Sequence, residues 1–140
     1  MRVREWMSPD PVCVSPETTV ARAREMLASE GFRHLPVVSD RRLVGIISDR
    51  DVAIRGDALR SALRRNEVDR LLDDDRPVAA VMTAGPHIIG PDAPVSEASR
   101  LLVSRWISAI PVVDDDGVLV GIISSVDCLL AALEHADGAP

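Results

Sequence analysis

Two pairs of side chains stand out for the chemistry their types and spacing allow. Ser48 and Asp51 lie three residues apart, and Ser124 and Asp127 repeat the pair. A Ser hydroxyl and an Asp carboxylate at that spacing can cap the first turn of a helix. The same groups can hold a ribose or a phosphate. A carboxylate accepts protons from two hydroxyls, and a helix start offers amide donors to an anion. Capping alone would explain an isolated Ser-x-x-Asp, so its surroundings decide. Each pair closes an apolar run, Leu43-Val44-Gly45-Ile46-Ile47-Ser48 in one place and Leu119-Val120-Gly121-Ile122-Ile123-Ser124 in the other. Such a run ending in Ser-x-x-Asp reads as a buried strand that turns into a helix.

The elements that position these residues come from an internal repeat. Met7 to Ile54 aligns with Met82 to Leu130 at an offset of about 75 residues, one longer after the hairpin turn. Pro16 recurs as Pro91, Ala23 as Ala98, and Pro36 as Pro111. Each copy opens with a short helix ending at its Met, carrying Val3 and Trp6 or Val78 and Val81. A Pro-bounded strand follows, Val12-Cys13-Val14 or Ile88-Ile89. Next comes an amphipathic helix, about Val20 to Ser29 and Val95 to Ser104. Its buried stripe is Val20, Ala23, Met26 and Leu27 in one copy, and Val95, Ala98, Leu101 and Leu102 in the other. Thr18 or Thr19 can cap the first of these helices. Two strands then enclose a polar turn, Ser39-Asp40-Arg41-Arg42 or Asp114-Asp115-Asp116-Gly117. A last helix opens near Asp49 and near Ser125. This order divides the chain into a first unit (1–56), a helical extension and linker (57–77), a second unit (78–136) and a frayed tail (137–140). Leu59, Leu63, Val68, Leu71 and Leu72 give the extension its loose helical spacing, and Asp73-Asp74-Asp75-Arg76-Pro77 ends it.

Composition narrows the function. The chain has 140 residues, 46% of them hydrophobic, with one Phe and two Trp, so its core is aliphatic. A net charge of −6 disfavours broad binding to nucleic acid or to an anionic membrane. Two cysteines, Cys13 and Cys128, form no disulfide framework; each sits in an apolar run, as a small structural hydrophobe would. Met1 to Trp6 is charged and leads into no signal-peptide core. No run reaches the roughly 18 apolar residues of a membrane span, and the expected location is the cytoplasm. Paired carboxylates in an apolar pocket, a nucleophile elbow and metal-ligand spacing are all lacking, so an enzyme is not expected. The acidic runs at Asp73 and Asp114 read as solvated turns.

The repeated Met, the strands Leu35-Pro36-Val37-Val38 and Ile110-Pro111-Val112-Val113, and Gly-Ile-Ile-Ser-x-x-Asp in both copies resemble a pair of CBS domains, a Bateman module. The resemblance runs from about Val3 to Leu133. It implies an α/β (α+β) fold of two β-α-β-β-α units packed about a pseudo-twofold axis, with up to two adenine-nucleotide sites in the cleft between them. It also implies residue roles. Ser48 and Ser124 would meet ribose or phosphate, and Asp51 and Asp127 the ribose hydroxyls. Arg33 and His34 would reach phosphate, with Arg50 beside them. Ser108, Ala109 and Val126 stand at those places in the second copy and depart from the pattern, so the first site should be the friendlier to an anion. Val12, Cys13, Val14, Ile88 and Ile89 sit where the family lays the adenine, with Pro36 and Pro111 on the opposite wall, although ordinary core is the alternative for most of them. Trp106, in the place of Gly31, is expected to pack. The implied ligand is AMP, ADP, ATP, an NAD-type nucleotide or S-adenosylmethionine, with no obligatory cofactor and no metal. The resemblance further implies a homodimer that regulates an unnamed partner protein. The alternative is a ligand-free dimeric scaffold or interaction subunit.

Overall fold

The computed structural model describes residues 1–52 and 74–138. In chain order its elements are α1 (Val3–Trp6), β1 (Ser8–Pro9), α2 (Val20–Glu30), β2 (His34–Ser39), β3 (Arg42–Ser48), α3 (Asp49–Val52), a 3-10 turn (Val78–Ala80), β4 (Thr83–Ala84), α4 (Val95–Arg105), β5 (Ala109–Val113), β6 (Leu119–Ser124) and α5 (Ser125–Gly138). The helical extension expected over 57–77, with Leu59, Leu63, Val68, Leu71 and Leu72, falls almost wholly outside the described residues.

The fold is a mixture of helices and antiparallel sheet in two repeated units. The first unit comprises Cys13–Ser39 and Val44–Ala84, and the second Met1–Val12, Asp40–Leu43 and Gly85–Pro140. The first has the sheet order β2-β3-β4 and the second β1-β6-β5. In the second unit β5 and β6 run antiparallel, with an irregularity at Val112/Val113. The short strands expected at Val12–Val14 and Ile88–Ile89 are reduced to single parallel bridges, Val14 to Val37 and Ile89 to Val112. Each sheet is covered by its amphipathic helix, which buries Val20, Ala23 and Leu27 in α2 and Val95, Ala98 and Leu102 in α4.

The packed units do not follow the repeat boundaries at 1–56 and 78–136, because the copies exchange their leading segments. The first amides of a helix lack acceptors within it. In the first unit the Val20 N–H donates to the Arg76 carbonyl at 2.8 Å and Ala21 to Asp74 at 3.0 Å, while Val78 donates to Thr18 at 2.8 Å. In the second unit the Val95 N–H donates to Met1 at 3.0 Å and Val3 to Ala93 at 2.9 Å. Val78 and Val3 are fully buried in these positions. The exchanged strands follow: β4 pairs with β3, placing Ala84 opposite Gly45, and β1 pairs with β6, placing Pro9 opposite Gly121. The Met of each leading segment then lies on a glycine, Met82 over Gly45 and Met7 over Gly121, where a Cβ would collide.

Two expectations need correcting. Trp106 does not pack; it is 92% exposed, since it takes the left-handed conformation that ends α4 and turns its side chain outward. Cys13 is exposed and only Cys128 is buried; both thiols are free. Strand alternation accounts for Cys13, whose neighbour Val14 takes the inward position.

Candidate functional site

Each strand–helix junction builds the same box. At the first, Ser48 N–H donates to Asp51 Oδ2 at 2.7 Å and the Ser48 hydroxyl accepts from Asp51 N–H at 3.4 Å. At the second, the corresponding distances are 2.8 and 3.2 Å, and Ser124 Oγ also donates to Asp127 Oδ2 at 3.0 Å. This is a reciprocal helix cap. It uses one carboxylate oxygen; Oδ1 of each Asp makes no hydrogen bond among the described residues and remains able to accept a hydroxyl proton. The helix start is also tied to the neighbouring strand. Asp49 N–H donates to the Arg33 carbonyl at 3.0 Å, and Ser125 N–H to the Ser108 carbonyl at 3.0 Å. Positions 33 and 108 are thereby held against the boxes.

The electrostatics of the junctions differ. The first gathers Arg33 and Arg50 with Asp49 and Asp51, and the half-buried His34 opens β2 beside them. Burial pushes the His34 pKa below its ordinary value; Asp49 and Asp51 pull it back up, and Arg33 pushes it down. The second junction has Ser108, Ala109, Ser125 and Val126, leaving Asp127 as its charged member. Asp49 was not singled out as a site residue in the sequence, yet its charge acts on His34 together with that of Asp51.

The apolar residues divide by exposure. Val12 and Ile88 are 45% and 51% exposed, whereas Val14 and Ile89 are buried. Pro36 and Pro111 are fully buried. Core is therefore not the role of Val12 or Ile88, and the repeat pairs exposed Cys13 with exposed Ile88. The first unit holds Val14, Arg33, His34, Pro36, Ser48, Arg50 and Asp51; the second holds Val12, Ile88, Pro111, Ser124 and Asp127. A surface depression along α2, lined by Thr19, Arg22, Arg24 and Glu25 among others, contains none of them. Among the described residues no cluster of His, Cys, Asp and Glu could hold a metal ion, and no helix is long and apolar enough to cross a membrane.

Comparison with known proteins places this geometry. The CBS domain family matches at residues 3–55 and again at 78–134. The chain is 32% identical over 126 residues to an inosine-5'-monophosphate dehydrogenase of Korarchaeum cryptofilum, a match covering 90% of this chain and 23% of that one. The chain thus spans about a quarter of that relative's length. It is similar to a solved structure of CBSX2 in complex with AMP, with a TM-score of 0.77, 32% identity and coverage of 96% and 98% of the two chains. It is also similar to the CBS domain pair of MJ0100 in complex with 5-methylthioadenosine and S-adenosyl-L-methionine, with a TM-score of 0.74, 26% identity and 98% of both chains covered. With two copies of the domain spanning most of its length, the chain belongs to the CBS domain family.

Proposed function

We propose that the chain is a non-catalytic regulatory CBS pair that binds an adenine nucleotide or related adenosyl ligand at its Ser–Asp junctions and signals to a partner protein. The observation that carries this reading is the box itself. In both units the cap uses one Asp oxygen and leaves the other for a ribose hydroxyl, beside amide donors at a helix start. The AMP complex of CBSX2 and the adenosyl complexes of MJ0100 support the ligand class. Among the candidates AMP comes first, then ADP, ATP and S-adenosylmethionine. The first junction is the one suited to a phosphate, because Arg33 supplies a forked set of donors there and Ser108 stands in its place in the second. Its two free thiols fit a reducing compartment such as the cytoplasm.

Calorimetric titration of AMP, ADP, ATP and S-adenosylmethionine tests the reading on wild-type protein, Asp51→Ala and Asp127→Ala. At least one ligand should bind, and Asp51→Ala should weaken the phosphate-bearing ligands by about tenfold or more. If no ligand binds, the scaffold reading replaces this one. That second reading has its own support in the exposed apolar stripe of α5, made by Val126, Leu129, Leu130 and Leu133.

A further inference from the structure

We propose that the outer end of α4 is a docking surface for an acidic peptide segment of another protein, with the Trp106 indole as its apolar anchor and Arg100 and Arg105 as its charged clasp. The inference rests on the regulatory reading above, because it names the chemistry of the partner which that reading requires.

The end of α4 is a fixed turn. The Leu102 carbonyl accepts from the Trp106 N–H and from the Ile107 N–H at 3.2 Å, so backbone donors close the helix there. Leu102 is buried before the turn, and Ile107 packs against the core of the second unit after it. Trp106 stands between these two inward anchors in the left-handed conformation, almost fully exposed. That conformation is strained for an L residue, and an exposed indole recovers nothing by burial in the free chain. Trp6, the other Trp of the chain, packs against the core instead. Val103, one helical turn before Trp106, is 77% exposed and extends the apolar surface along the helix.

Charge decides what fits there. After Arg76 the sequence has no Lys and only two Arg, Arg100 and Arg105, and both lie on α4. The acidic side chains from Gly85 to Pro140 run from Asp92 to Asp137, with Glu97 on α4 itself. Arg100 and Arg105 make no ion pair and no side-chain hydrogen bond among the described residues. Their forked donors suit carboxylates. An exposed Trp with Arg beside it is also the composition of an interface centre. An acidic segment is repelled by the carboxylates elsewhere on this stretch and attracted here, so charge fixes where it lands. Single-stranded nucleic acid would use the indole and the two Arg, but Val103 offers no stacking platform to a base. Next to Trp106 it suits an apolar side chain, which a peptide supplies.

The test uses the full chain. A displayed library of random peptides is selected on wild type and on Trp106→Gly, and the best wild-type binder is then synthesised with a fluorescent label. The selected peptides should be rich in Asp and Glu around an aromatic or aliphatic residue. Trp106→Gly, a change expected to stabilise the fold, should weaken the labelled peptide by about tenfold or more. Arg100→Glu and Arg105→Glu should each weaken it about fivefold at roughly 0.05 M salt and much less at about 0.5 M, where exposed charges are screened. A merely structural role for the two Arg would show no such salt dependence. Any adenosyl ligand that binds wild type should bind the three variants equally well. Selected peptides poor in Asp and Glu, peptides that bind Trp106→Gly as tightly as wild type, or no selected peptide at all overturn the proposal. So does a labelled oligouridine that binds through Trp106 more tightly than any peptide. A two-chain species that Trp106→Gly dissociates in sedimentation overturns it too, because a second copy would then be the occupant. Failure of every adenosyl ligand to bind wild type overturns the nucleotide reading and leaves the docking surface standing.

Discussion

A single carbon added at Gly121 would sit against the Met7 side chain and 3.0 Å from the Ser8 carbonyl oxygen. The thioether can swing away, but the carbonyl belongs to β1, whose pairing with β6 holds the exchanged segment in place. Gly121→Ala should therefore lower stability by about 1–3 kcal/mol, the usual cost of overpacking. A lower urea midpoint with an unchanged slope would register it. A midpoint equal to wild type would mean that β1 moves without cost. Trp106 argues in the other direction. Its φ of 55° is strained for an L residue, by about 1–2 kcal/mol. An indole that is 92% exposed recovers almost nothing by burial. Gly31 fills the same place at the end of α2 with φ 69°. Trp106→Gly should raise stability by about 1 kcal/mol, seen as a higher unfolding midpoint. A fall would show that the indole has a partner in solution.

Helix starts decide how the elements are joined. The Thr19 hydroxyl accepts from Arg22 N–H at 3.1 Å, so Thr19→Ala should cost about 1 kcal/mol. The segment that caps α2 alongside it is itself braced by Asp74, which accepts from Arg76 Nη2 at 2.7 Å and lies 3.8 Å from Arg24. Chiefly the Arg76 hydrogen bond holds the Asp74 carboxyl below its ordinary value of 3.8. A carboxyl lowered by folding contributes stability in full above that value and loses it as pH falls through the lowered one. Wild-type protein should therefore lose stability relative to Asp74→Asn as acid is added below about pH 4; acid titrations of the two that coincide by circular dichroism would remove that role from Asp74. The helices α2 and α4 could be placed from sequence to within a residue because their apolar residues recur at the helical period. The Ser–Asp boxes could be anticipated for the same local reason. The exchange could not. Two near-identical copies say which surfaces pack, but not which copy supplies the partner, and the acceptors at Arg76 and Met1 are backbone carbonyls without a side-chain signature. The exposure of Trp106 was equally hidden, since hydrophobic residues favour the interior without being confined to it. What the boxes hold stayed open because a helix cap and a ribose clasp call for the same two groups.

For the whole molecule, the outward face of α5 is the feature that calls for a partner. Val126, Leu129, Leu130 and Leu133 are each more than half exposed, and their spacing puts them on one stripe of the helix, opposite the buried Cys128 and Ala131. A continuous apolar stripe of this kind marks an interface. A second copy of the chain carries the same stripe, and a self-complementary contact about a twofold axis is the commonest way for such a face to close. Sedimentation at roughly tens of micromolar should give a two-chain species for wild type and a single chain for Leu130→Glu with Leu133→Glu. The stripe begins at Val126, the residue before Asp127, so the Ser–Asp box of the second unit and the apolar stripe share the first turn of α5. A ligand that orders this turn should tighten association, and association should tighten the ligand by the same factor. AMP should accordingly lower the dimer dissociation constant in wild type and leave it unchanged in Asp127→Ala. A wild-type dimer indifferent to every adenosyl ligand that binds would separate the two surfaces and move the signalling output to another face. A single-chain species at all concentrations would remove the dimer itself.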